Sequence, residues 1–203
     1  MPGLLPHVDP NGLLEYSVVY TDRSLNHMSK DFQTVMRDIS RLIKEVYLAH
    51  SAVLVPGSGT FGMEAVARQF ATDKPVLVLR NGWFSYRWSQ IFDMGRIPSS
   101  CTVLKARRLK AGSQEPFSPA PIAEVVRTIA AEKPAMWANM QACGVDVLVT
   151  APQKGWSSSP CCAMVALSER ARHAIDGTTS TSFACDLKKW LQIMEAYESG
   201  GHA

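Results

Sequence analysis

An α/β sheet domain is the fold class this sequence predicts, and three observations predict it. Apolar runs of strand length recur at residues 52 to 55, 76 to 80, 101 to 105, 145 to 150 and 162 to 167. Helix-like stretches at 31 to 49, 61 to 71, 84 to 95, 121 to 132 and 168 to 176 alternate with them. The connections are rich in Gly, Pro and Ser, with no internal repeat and no low-complexity segment. Strands that are apolar throughout need cover on both faces, and alternating helices supply it.

Taken in order, residues 1 to 30 read as an irregular N-terminal arm, broken by Pro2, Pro6, Pro10 and Gly12. The helix of 31 to 49 follows from Phe32, Val35, Met36, Ile39, Leu42, Ile43, Val46 and Tyr47, an i, i+3, i+4, i+7 stripe. Ala52 to Val55 is a strand stopped by the turn Pro56-Gly57-Ser58-Gly59-Thr60, and Gly62 to Phe70 is helical after it. Val76 to Arg80 is the next strand, entering a helix through Asn81-Gly82. Cys101 to Leu104 is followed by the basic Lys105-Ala106-Arg107-Arg108-Leu109-Lys110, which lacks interleaved aromatics and reads as a solvated face. Gly112, Pro116, Pro119 and Pro121 make 111 to 121 a loop. Val145 to Thr150 and Cys162 to Leu167 close the series as strands.

Two turns could carry chemistry. In the first, a helix start offers free amides and a positive dipole end, Gly57 and Gly59 allow close backbone approach, and Ser58 and Thr60 add hydroxyls. That suits a phosphate group; the alternative is a capped helix after a tight turn. The spacing is neither a P-loop nor a dinucleotide fingerprint. In the second, Ala151-Pro152-Gln153-Lys154-Gly155 places a lysine just beyond a strand. In a partly closed pocket desolvation frees such an amine to condense with an aldehyde; otherwise it is a solvated surface charge.

These blocks resemble the class V pyridoxal-phosphate aminotransferases, within them the alanine/serine-glyoxylate branch. The resemblance rests on Pro56 to Thr60 with Met63-Glu64-Ala65, on Val76 to Phe84 with Arg87-Trp88, and on Val145 to Gly155, in the family's order. It implies a fold type I enzyme, whose large domain is a three-layer αβα sandwich on a mostly parallel sheet. It implies pyridoxal 5'-phosphate as cofactor, with Lys154 as the catalytic lysine that forms the Schiff base. Ser58, Gly59 and Thr60 match the phosphate cup, Gln153 a further phosphate contact, and Phe84 the aromatic stacked on the cofactor ring. Without the resemblance, Phe84 would be an ordinary core aromatic among Trp83, Tyr86 and Trp88.

Two departures from the family stand out. Ile129 to Ala135 runs straight into Met136 to Gly144, where the family has a strand, a helix and another strand, so about 40 residues of central sheet are expected to be missing. The second lost strand carries the family's aspartate for the pyridine nitrogen, and Asp146 is a poor substitute because it precedes the end of its strand. The chain also stops soon after Phe183 to Met194, which resembles the bridge to a smaller domain. The expected organisation is therefore an arm at 1 to 30, a shortened cofactor-binding domain at 31 to 185 and the start of the bridge helix at 186 to 203, with no assignable arginine for the substrate carboxylate.

Composition narrows the rest. With 203 residues, 46% of them hydrophobic, the chain can bury one good core. A net charge of +3 is too small to imply nucleic acid, and no apolar run of about 18 residues suggests a membrane span. The start Met1-Pro2-Gly3-Leu4-Leu5-Pro6-His7 has no basic n-region, so an intracellular, cytoplasmic protein is expected, with a peroxisomal or mitochondrial address open to a eukaryotic chain. Cysteines 101, 143, 161, 162 and 185 read as reduced and mostly buried, and the scattered histidines argue against a metal site. Two functions remain: a transaminase moving an amino group from alanine or serine to glyoxylate or pyruvate, homodimeric if competent, with turnover impaired by the shortening; or a non-catalytic cofactor-binding or subunit-interaction remnant.

Overall fold

The computed structural model describes His27 and Gly112, Gln114 and residues 30–110, 116–132 and 144–201. Most of the expected arm, the Ala135/Met136 junction and Cys143 lie outside the described residues. The elements are α1 (Lys30–Tyr47), β1 (Ser51–Pro56), α2 (Gly59–Phe70), β2 (Pro75–Arg80), α3 (Trp83–Gly95), β3 (Ser100–Lys105), β4 (Arg107–Arg108), β5 (Phe117–Ser118), α4 (Ile122–Glu132), β6 (Val147–Thr150), β7 (Cys162–Leu167), α5 (Glu169–Ala174) and α6 (Leu187–Glu198). The helix expected at 168 to 176 tightens into a 3-10 turn at Ile175–Gly177.

The strands form a three-stranded sheet in the order β1-β7-β6 and a separate parallel pair, β2-β3. β7 runs opposite to both its neighbours, so Leu167 faces Ser51 on one side and Val147 on the other. Two antiparallel ladders thus stand in a sheet expected to be mostly parallel. Periodicity reports which face a side chain takes and is silent on strand direction. One consequence matters for function: β1 and β6 share a direction, and their carboxyl ends lie together at the start of β7.

Alternation along these strands builds three layers. Val53, Val55, Val165 and Leu167 pack with Ala65, Val66 and Phe70 of α2. Ala52, Met164 and Ala166 pack on the other side with Ile43 of α1. α6 covers the β1 edge: Leu187 and Leu191 join the first group, while Met194 and Tyr197 join Met36. Asp186 starts α6 by accepting from the amides of Lys188 and Lys189 at 3.1 and 3.3 Å. A second core joins Val76 and Val78 of β2 to Ala67, Ala71, Phe92 and Ile97.

α2 lies directly on β7 because Gly62 has no side chain. A Cβ there would stand 2.4 Å from the Cβ of the fully buried Ala163. Helix propensity favours alanine over glycine by about 1 kcal/mol, but overpacking a tight contact costs about 1–3 kcal/mol. The contact is short enough for the second effect to win. Gly62→Ala is expected to lower stability by about 1–2 kcal/mol, read as an earlier urea midpoint with an unaltered slope. An equal or later midpoint would show that α2 can lift away freely.

Three expectations are corrected. The loop at 111 to 121 contributes Phe117-Ser118, which pairs antiparallel with Arg107-Arg108; a two-residue ladder is too short for alternation to reveal. The guanidinium of Arg108 lies 4.9 Å from the Phe117 ring centroid, adding a cation–π contact. Cysteines are less buried than expected: Cys185 is buried, Cys101 and Cys162 are half-buried and Cys161 is exposed, all four as free thiols. The α1 stripe is wider than the face it buries, since Val46 is 58% exposed while Ile43 is 2% exposed.

Candidate functional site

The site lies beyond the carboxyl ends of β1 and β6. After Pro56 the chain turns at Gly57, whose φ of 114° belongs to glycine; a Cβ there would also meet the Phe61 ring at 2.8 Å. The Gly57 amide donates to the Cys161 carbonyl at 3.0 Å, pinning this turn to the residue before β7. Ser58 then caps α2 in an extended conformation without a side-chain cap bond, so its hydroxyl is not consumed by the helix. The amides of Gly59 and Thr60, in the first helical turn, have no acceptor within the helix.

The second turn follows β6. Lys154 donates its amide to the Ala151 carbonyl at 3.1 Å, and Ser158 to that of Pro152 at 3.2 Å, which folds the chain back on itself. Ala151 and Pro152 are buried, while Gln153 and Lys154 are exposed. Trp156 anchors the far side by donating its indole N–H to the Tyr47 hydroxyl at 3.1 Å. The two turns touch: a Cβ on Gly59 would lie 3.2 Å from that of Ala151.

A third element completes the cleft. Ser85 accepts from the amides of Asn81 and Gly82 at 3.0 and 2.9 Å and closes the first turn of α3. This sets Phe84, Arg87 and Trp88 against the other two turns. The resulting cleft is about 690 Å³ and is lined by all six residues singled out from the sequence: Ser58, Gly59, Thr60, Phe84, Gln153 and Lys154. Lys154 Nζ lies 5.1 Å from the Phe84 ring centroid. Arg87, which sequence reasoning did not assign, lies 5.4 Å from the same centroid and donates to Thr60 Oγ1 at 2.8 Å. Nothing in its place one helical turn after Phe84 marks it in the sequence; the contact with Thr60 does.

Among the described lining residues there are two cations and no carboxylate. Asp146 is occupied elsewhere, accepting from Ser168 Oγ at 2.6 Å and from Arg170 Nε at 2.9 Å. Burial pushes its carboxyl up, but the hydrogen bonds from Arg170 and Ser168 and the Arg170 charge outweigh burial and hold it below the usual range. It lines a different hollow, with His50 and Arg170. No group of metal-ligating side chains occurs among the described residues, and no described helix is long and apolar enough to cross a membrane. Lys154 is exposed and lines this cleft.

No protein-family model and no curated protein sequence matches the chain. Solved structures do. An alanine–glyoxylate aminotransferase from Nostoc sp. superposes with a TM-score of 0.67 at 18% identity, over 87% of this chain and 55% of that one. An aspartate aminotransferase of subgroup IV from Thermus thermophilus gives 0.65 at 22% identity, over 86% and 58%. Pyridoxamine–pyruvate aminotransferase from Mesorhizobium loti gives 0.62 at 17% identity, over 87% and 53%. The chain spans little more than half the length of these proteins, and over that span it has the αβα large-domain fold that they share.

Proposed function

We propose that the cleft binds pyridoxal 5'-phosphate, with Lys154 as its covalent anchor and catalytic group, and that the chain derives from a class V transaminase acting between alanine or serine and glyoxylate or pyruvate. The observation that carries this reading is the convergence of Ser58, Gly59, Thr60, Phe84, Gln153 and Lys154 on one cleft. The residues present fit the group's two ends. The α2 start offers amides, a dipole and two hydroxyls to a phosphate, and the flat Phe84 ring beside Lys154 Nζ suits a flat aromatic.

Pyridoxal phosphate, when bound, supplies an aldehyde that captures amines and a conjugated ring that takes up the electron pair released at Cα. The chain's own part is positional and acid–base. Ser58, Gly59 and Thr60 hold the phosphate end, and Gln153 reaches it from the lysine turn. Phe84 fixes the ring plane. Lys154 Nζ, beside the Phe84 ring, would take the proton from Cα of the amino acid as general base and return a proton as general acid.

A second reading is favoured by two observations: no carboxylate lines the cleft among the described residues, and β6 and β2 belong to separate ladders. On it the chain is a non-catalytic remnant that keeps the cofactor or pairs with a longer subunit. We read the region after Ala135 as the place where central strands have been lost. Adding pyridoxal phosphate and then alanine separates the readings. A visible absorbance band that alanine bleaches supports the transaminase, a persistent band supports the remnant, and no band rejects both.

Lys154 is expected to be the sole lysine trapped by borohydride after incubation with pyridoxal phosphate. Lys154 is the lysine that lines the cleft among the described residues, and Lys188 Nζ, for example, donates to the Asp176 carbonyl at 2.8 Å. Peptide mapping checks this, and a label found mainly elsewhere, or undiminished in Lys154→Ala, would remove Lys154 from its role.

A further inference from the structure

We propose that Arg87 is the cation of the phosphate end of this cleft, acting both by its charge and by setting the Thr60 hydroxyl as a donor. The inference rests on the cofactor reading above and adds a residue to it. Arg87 Nη1 donates to Thr60 Oγ1 at 2.8 Å, which places the guanidinium beside the start of α2. A hydroxyl that accepts from a guanidinium keeps its own proton for another acceptor. Thr60 is in the first turn of α2, and both Thr60 and Arg87 line the cleft.

Among the described residues no carboxylate pairs with Arg87. Arg68, Arg107, Arg170 and Arg172 each pair with a carboxylate, whereas the contacts of Arg87 are a hydroxyl and the face of Phe84. A half-buried guanidinium that gives one hydrogen bond, to a hydroxyl, among the described residues suits a dianionic phosphate monoester, which it can bind through two parallel N–H bonds. Phe84 then neighbours two cations with different tasks, Arg87 toward phosphate and Lys154 toward the aldehyde. A purely structural role would have Arg87 tie α3 to α2 through Thr60 and do nothing more.

Pyridoxal and pyridoxal phosphate, which differ only in the phosphate, distinguish these roles. Each is titrated against the full chain, and the absorbance change that requires Lys154 is followed. The unaltered chain should prefer the phosphorylated form. Arg87→Gln should weaken pyridoxal phosphate by about 10- to 100-fold, the range for a lost charge-assisted hydrogen bond, and leave pyridoxal unchanged. Arg87→Lys, which keeps the charge without the fork, should fall between. Thr60→Val should lower the preference for phosphate by a smaller factor with Arg87 intact, and it carries the test if Arg87→Gln melts early. Equal weakening of both ligands, or an unchanged preference in Arg87→Gln and Thr60→Val, overturns the proposal while leaving the cofactor reading standing. An unaltered chain that takes up neither ligand overturns the cofactor reading, and this inference with it.

Discussion

Purified chain supplied with pyridoxal phosphate, alanine and glyoxylate is expected to transfer amino groups far more slowly than roughly 1 per second, the low end of typical enzyme rates. The reason lies in what the cleft lacks. Removing a proton from Cα leaves an electron pair that the ring must absorb, and a ring nitrogen kept protonated by a carboxylate is what makes it absorb well. The described lining offers Arg87 and Lys154 as charged groups and no acid. Asp146 cannot move in, because Ser168 and Arg170 hold its oxygens and it opens on another hollow. One missing electrostatic partner costs about 10²–10³ in rate, about 3–4 kcal/mol. A steady-state assay at saturating alanine checks the expectation, and turnover at roughly 1 per second or faster would show that another group supplies the acid.

The largest expected loss of binding comes from Gly59→Glu, which should abolish cofactor retention on a desalting column. Two effects act in one direction. The new Cβ would press on Ala151 at 3.2 Å and push the lysine turn away from the α2 start. The carboxylate would also sit at the positive end of a helix dipole and against Arg87, competing with the phosphate for the same site. Gly59→Ala separates the effects: it keeps the contact with Ala151 without the charge and should retain part of the affinity. Unchanged retention in Gly59→Glu would mean that the turn at 57 to 60 is only a helix start.

Much of this arrangement was legible in the sequence, for reasons tied to particular residues. The alternation of Val53 and Val55 against Ala52 and Leu54, and the stripe from Phe32 to Tyr47, fix element type because burial acts on side chains at fixed periods. The two turns were legible because glycine, proline and serine mark backbone shapes that other residues avoid. Three things were not. The direction of β7 leaves no trace in a run that is apolar on both faces. The outer part of the α1 stripe, at Val35, Leu42 and Val46, looks like core and is exposed. Arg87 looked like any helical arginine until the fold set it against Thr60, a residue 27 positions earlier.

The reversed strand also fixes when the site comes into being. Among the described residues, β1 and β6 hydrogen-bond to no strand except β7. The cup turn and the lysine turn, far apart along the chain, are therefore joined by a strand that follows both in sequence. Until Cys162–Leu167 is placed, no ladder among the described residues holds β1 beside β6, and pairings of such long sequence separation form late because loop closure must come first. Cofactor capture is thus a report on completed folding: a nascent chain released before residue 162 could contain every residue of the cleft and still hold nothing in it.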